Sequence, residues 1–280
     1  MITIVFSDII LGHYLEYAHH IYMGALEHKD EEFIFVIPGQ FQEHKDKYVW
    51  PETDNISFDY LTADECQYCL PPSPLKAAWR KSKLIRAKCK KHSADRVILI
   101  NLSSAIPFLA FFLPHGVKAQ GVQYRIYRYG NQKGIRMLLE KMRYQIMARH
   151  SQIASVMILN DQESAEYFNN VYHTHKFKFL PDPVPEVDES QLKDLRKELG
   201  IPQANKIFLL FGALNFRKGV FKTLDALRRL DLEVAKTITM VFAGWVQDPI
   251  KERFYKEIKD LKSNVQVVLE SFGDTSSHVC

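Results

Sequence analysis

Leu210-Phe211-Gly212-Ala213-Leu214-Asn215-Phe216-Arg217-Lys218-Gly219-Val220 is the stretch from which the fold is read. An apolar strand ends in a glycine, a short loop follows, and Arg-Lys-Gly leads into a helix. Open parallel sheets take their ligands at the carboxyl ends of strands. Gly212 lets the backbone pass close to a ligand. Arg217 and Lys218 stand where the free N–H groups of a helix start already favour an anion. Two cations there could hold a diphosphate and offset the charge that builds on it as it leaves. The alternative is a capped βα turn with two solvated basic residues.

Downstream the same alternation continues. Gly219–Leu230 is expected as a helix, Ile238–Phe242 as a strand, Pro249–Leu261 as a helix and Val265–Leu269 as a strand, after which residues 274–280 show no periodicity. Upstream, Asp188–Leu199 reads as a short charged helix closed by Gly200. Before it, Pro181-Asp182-Pro183-Val184-Pro185 can continue neither a helix nor a central strand and forms a stiff connector.

The first part of the chain carries seven strand candidates: Ile2–Phe6, Phe33–Ile37, Ile56–Tyr60, Arg96–Ile100, Val117–Gln123, Val156–Leu159 and Phe177–Leu180. Helical spacing lies between them over His13–Glu27, Leu75–His92, Ile135–Ala148 and from Asp161 through Phe168. Asn101, Ser103 and Ser104 are candidate helix caps. Leu138, Leu139, Met142, Ile146 and Met147 make the expected core stripe of their helix. Strand and helix in repeated alternation predict an α/β fold of two doubly wound Rossmann-type domains, residues 1–185 and 186–280, the second incomplete with three strands. No G-x-G-x-x-G follows the first strand, which argues against a dinucleotide-dependent enzyme.

The composition, 46% hydrophobic and 25% charged, suits a globular chain that builds a core without disulfides. A net charge of +4 is too small for a dedicated nucleic-acid binder but fits an anionic small ligand or an anionic membrane surface. Cys66, Cys69, Cys89 and Cys280 read as reduced, intracellular thiols. Cys66-x-x-Cys69 lacks the second half of a zinc set, and Pro71 and Pro72 follow where a redox motif would open a helix. The amino terminus reads as a first strand, and no run is long enough to span a bilayer, so a cytoplasmic protein is expected.

Four stretches together resemble glycosyltransferase family 4, of the GT-B superfamily: the strand-glycine-Arg-Lys-Gly stretch; Ala243-Gly244-Trp245 after the next strand; Phe179-Leu180-Pro181-Asp182-Pro183, similar to the family's interdomain crossing; and Ala148 to Phe168 with Asn160-Asp161-Gln162-Glu163-Ser164. The resemblance runs over residues 1–272 and implies a nucleotide-diphosphate-sugar donor on the second domain, an acceptor on the first, transfer in the cleft between them, retention of configuration, and no metal or other cofactor. On it, Gly212, Arg217 and Lys218 contact the donor diphosphate, and Gly244 and Phe272 lie beside the nucleotide. Many members carry arginine where Ala213 stands, and Arg217 is the candidate to replace it. The family's paired-glutamate motif falls outside residues 1–280, so a catalytically inactive binding module is the alternative to a sugar transferase.

On the acceptor side, Gly12 and His13 follow the first strand, where a glycine loop borders the cleft in GT-B enzymes. His13 could exchange a proton near neutral pH or simply begin a helix. His19 and His20 are read as helix-surface residues. Gln123-Tyr124-Arg125 occupy the position of a family histidine; no histidine role transfers, and Arg125 faces either an anionic acceptor or solvent. Lys76 to Lys91 hold eight cations, and Arg136, Lys141, Arg143 and Arg149 form a second basic helix. These two helices either present a solvated face or rest on the inner face of an anionic membrane, near a glycan or lipid-linked acceptor.

Overall fold

The computed structural model describes residues 1–10, 12–124, 126, 134–183, 194–261 and 266–270. It divides into two units, Met1–Pro185 and Glu186–Cys280.

The first unit runs β1 (Ile2–Phe6), α1 (His13–Ala25), β2 (Glu32–Pro38), α2 (Phe41–His44), β3 (Ile56–Leu61), α3 (Ala63–Tyr68), α4 (Pro74–Lys91), β4 (Arg96–Leu99), α5 (Leu109–Phe112), β5 (Lys118–Gln123), α6 (Ile135–Arg149), β6 (Ile153–Leu159), α7 (Gln162–Tyr172) and β7 (Phe177–Leu180). Its seven strands are parallel in the order β3-β2-β1-β4-β5-β6-β7. The order turns back between β1 and β4, so this doubly wound sheet has its switch point there. Strands covered on both faces need apolar side chains on both, which is why Ile4, Val5 and Phe6 are all buried in succession. One face packs against α4, α5, α6 and α7 through Ile85, Leu109, Tyr144, Met147 and Phe168. The other is covered by α1, with Leu15, Tyr17 and Tyr22 against Phe35 and Ile37.

The second unit runs α8 (Leu195–Glu198), β8 (Lys206–Phe211), α9 (Val220–Arg228), α10 (Leu232–Ala235), β9 (Ile238–Ala243), α11 (Asp248–Leu261) and β10 (Gln266–Glu270), with parallel strands in the order β10-β9-β8. β8 reads Lys-Ile-Phe-Leu-Leu-Phe, an apolar run of the kind found in the middle of a parallel sheet. It nevertheless lies at an edge, and Phe208, Leu209 and Phe211 are exposed.

Several expected details are corrected. The helix after Asp161 continues past Phe168 to Tyr172 and ends on His173 in the left-handed region, because Asp161 caps Ser164 and Phe168 packs into the core as one turn among three. The helix expected over Gly219–Leu230 is Val220–Arg228, and of Asp188–Leu199 only Leu195–Glu198 is described as helix. Asn101, Ser103 and Ser104 cap no helix: Ser103 bonds the Asn101 side chain and Ser104 its carbonyl, closing a 3-10 turn over Leu102–Ser104. α3 escaped the sequence reading although Thr62 and Glu65 form a complete capping box. In α6 the expected core stripe splits: Met147 is buried, whereas Leu138 and Met142 face outward. The solvated reading of α4 fails for Lys81 and Lys88, which are buried.

Candidate functional site

The carboxyl ends of β8 and β9 bring three of the expected donor-site residues together. Gly212 leaves β8 with φ +88° and Gly244 leaves β9 with φ +138°, conformations that suit glycine. The Gly212 amide donates to the Ala243 carbonyl at 2.8 Å, and a Cβ on Gly244 would stand only 2.8 Å from the Gly212 carbonyl carbon. The two loops then stay paired, with the Leu214 amide donating to the Trp245 carbonyl at 2.9 Å.

Lys218 closes over this junction. Phe216–Lys218 forms a 3-10 turn in which the Asn215 side chain accepts from the Lys218 amide at 3.1 Å. Gly219, at φ +73°, turns the chain into α9. The turn sends the Lys218 ammonium back to donate to the Phe211 carbonyl at 2.8 Å, 5.0 Å from the Phe211 ring centroid. It lies 3.4 Å from where a Cβ on Gly212 would be. An ammonium has three donors, so a strand-end carbonyl positions the charge while leaving hydrogen-bonding capacity over the glycine. Arg217 is exposed one residue earlier and makes no hydrogen bond or ion pair among the described residues. Phe272 lies outside the described residues.

In the first unit, the loops after β1 and β4 flank the switch point. Gly12, at φ +59°, precedes α1 with open space around its α-carbon. His13 is exposed and meets only Glu16, at 3.4 Å one helical turn on. Arg125 lies outside the described residues.

The sequence reading named Asn101 only as a candidate cap and Tyr124, Asn160 and Asp182 only within longer stretches, and the structure gathers them with Tyr14 and Tyr17 at these strand ends. Asn101, after β4, donates to the Tyr14 hydroxyl at 3.1 Å. Tyr14 and Tyr17, on successive turns of α1, each lie 5.5 Å from the Tyr124 ring at the end of β5. The Tyr17 hydroxyl donates to Asp182, and Asn160, after β6, donates to the same carboxylate at 3.2 Å while accepting from the Asp182 amide at 2.8 Å. Burial, then the Asp182 bond, push the Tyr17 phenol well above its ordinary range, so it stays protonated as a donor. Behind the β1 loop the Lys81 ammonium pairs with Asp8 at 2.6 Å and donates to the Ser104 hydroxyl at 2.9 Å, joining the loops after β1 and β4 from below.

Cys66 and Cys69 are free thiols at the end of α3. Burial pushes Cys69 up to about 12, the opposite of the shift that activates a redox cysteine. Among the described residues no helix is long and apolar enough to cross a membrane.

No protein-family model matches the chain, and no curated protein does either. Solved structures do. A glycosyltransferase from Rickettsia africae matches with TM-score 0.61 at 16% identity, over 98% of this chain and 68% of that one. HepE from Anabaena, solved with UDP and glucose, matches with TM-score 0.58 at 14% identity, over 97% and 69%. WaaG, a glycosyltransferase involved in lipopolysaccharide biosynthesis, matches with TM-score 0.58 at 15% identity, over 99% and 71%. The architecture is therefore GT-B-like, with two Rossmann-type α/β units, and the chain spans about 70% of the length of these structures. Identities at this level establish the fold and leave the reaction to be argued from the site.

Proposed function

We propose that this protein is a glycosyltransferase that moves a sugar from a nucleotide-diphosphate-sugar donor to a glycan or lipid-linked acceptor, with retention of configuration, in surface polysaccharide biosynthesis. The observation that carries the reading is the Lys218 ammonium held by the Phe211 carbonyl over Gly212, beside Gly244. Breaking a sugar–diphosphate bond builds negative charge on the departing phosphate, and a pre-positioned cation stabilises that charge most where it is greatest. Lys218 supplies this charge and Arg217 supplements it, so the reading calls for no metal or other cofactor. HepE holds UDP in the same fold, which supports a nucleotide-sugar partner. Gly12, His13 and Arg125 belong to the acceptor side in this reading, and Gly244 and Phe272 to the nucleotide. Such a donor and reduced thiols fit the cytoplasm, and the basic first-unit helices fit peripheral contact with the inner face of a membrane.

Titration calorimetry of UDP against wild type and Lys218→Ala tests the proposal. Loss of a charge-assisted hydrogen bond should weaken binding by about tenfold or more. Equal affinities would remove Lys218 from the site. A binding module without turnover is the second reading, favoured by the apolar side chains of Phe208, Leu209 and Phe211 left exposed along β8. Release of UDP from a UDP-sugar by this chain would reject it.

A further inference from the structure

β8 runs apolar from Ile207 to Phe211 without a break. It pairs with β9 on one side, and among the described residues no strand lies on the other. An open edge offers unpaired N–H and C=O groups to another strand, and edges are normally blunted by a charge, a proline or a bulge. None of these stands within Ile207–Phe211.

Side chains alternate across a strand. Leu210 packs with Met240 and Phe242 on the face covered by α9 and α11; Phe208 shares that face, yet is 52% exposed. Ile207, Leu209 and Phe211 take the opposite face. There Ile201 packs on their β9 neighbours Val241 and Ala243 but leaves Leu209 57% and Phe211 62% exposed. Exposure on both faces tells against a partner laid over one of them. A strand paired along the edge covers both.

A second copy of this chain meets the requirement on charge and on area. Two β8 strands related by a two-fold axis pair antiparallel. Their Lys206 side chains, the one charge on each strand, then stand at opposite ends and not side by side, where like charges repel. Residues opposite each other in such a pair share a face. The register that keeps apolar against apolar sets Leu209 across from Leu209, Phe208 across from Leu210 and Ile207 across from Phe211. The exposed parts of Ile207, Phe208, Leu209 and Phe211 amount to about 400 Å² on each copy, taking roughly 200 Å² for a whole large side chain. Two edges bring about 800 Å² together, which with the paired backbones reaches the roughly 1,000 Å² of a specific but weak interface.

We propose that this protein forms a two-fold dimer through β8, joining the sheets of two second units into one of six strands centred on Leu209. Leu209 supplies nothing to the donor site, so the inference needs no sugar donor.

Sedimentation velocity of the full chain over a dilution series is the test. Wild type should pass from monomer to dimer as concentration rises, and go no further. Leu209→Arg and Leu209→Glu each set like charges face to face across the axis and should weaken dimerisation at least about thirtyfold. An equimolar mixture of the two variants sets arginine against glutamate and should restore the dimer. Leu209 is exposed, and circular dichroism verifies that each variant is folded. Hydrogen-exchange protection of the β8 amides should rise with wild-type concentration, a readout that needs no substitution. A wild type that stays monomeric, that grows past the dimer, or whose dimer survives both variants would overturn the proposal. So would a mixture that stays monomeric.

Discussion

Gly244 lies against Gly212 so closely that a Cβ on the first would fall on the carbonyl oxygen of the second. The contact holds the two glycine loops of the second unit edge to edge beneath Lys218. Gly244→Ala should cost at least about 2 kcal/mol, combining a φ that only glycine adopts readily with a clash against backbone that cannot swing away. Gly219→Ala, at a positive φ but with open space around it, should cost only about 1 kcal/mol. Urea unfolding of both variants makes the comparison, and equal losses would mean that the close approach of the loops is not the deciding term.

Asp8 and Lys81 are both buried and bind each other at 2.6 Å. Lys81→Met leaves a carboxylate stranded in the protein and should cost about 3–5 kcal/mol. Adding Asp8→Asn to that variant should recover much of the loss, since the unpaired charge is gone. A double variant as unstable as the single one would show that the methylene stem of Lys81, not its charge, is what the packing needs.

Asp182 is tied to Tyr17 and Asn160 at the point where the chain leaves the first sheet. Tyr17→Phe removes one donor from that carboxylate and should destabilise the first unit by about 2 kcal/mol. Hydrogen exchange of the Asp182 amide, which donates to Asn160 at 2.8 Å, should quicken at the same time. Unchanged exchange would show that Asn160 alone holds the crossing.

Asp59 gives the protein a defined acid response. Burial by itself would raise its carboxyl, but hydrogen bonds from His92 and Lys91 and the charge of Lys88 outweigh burial and hold it at about 2. The folded-state value lies below the ordinary 3.8, so the stabilisation is complete above that ordinary value and is lost as pH falls toward about 2. The contribution is about 2 kcal/mol. Stability measured across that window should fall less steeply in Asp59→Asn than in wild type. At neutral pH the variant should already be the weaker protein.

Strands were read well wherever they lie between two layers. Ile2–Phe6 appears where its run places it, because a strand covered on both faces buries nearly every side chain, and Phe177–Leu180 does so too although it lies at the sheet edge with Lys178 and Phe179 exposed. Helices were read less well at their ends and on their outer sides. The 3.6-residue period marks Leu138 and Met142 as members of an apolar stripe, but the sheet needs only part of that stripe. Lys81 and Lys88 look like their solvated neighbours on α4 until Asp8 and Asp59, distant in sequence, are brought beneath them. That Gly212, Lys218 and Gly244 come together could be expected in advance, because each lies in a loop that follows a strand. The Tyr14, Tyr17, Tyr124, Asn160 and Asp182 group could not, since its members come from α1 and three separate strand ends.

What the chain determines by itself is local: the alternation of strands and helices, the proline-rich break after β7, and the glycines that let β8 and β9 end in close loops. These follow from backbone geometry and from the spacing of apolar side chains, both of which act over a few residues. Only the tertiary structure decides which charges meet, that Lys218 folds back onto the Phe211 carbonyl, and which apolar groups are left facing outward on α4, α5 and α6. Strand order sets those relationships, and strand order is a property of the packed sheet.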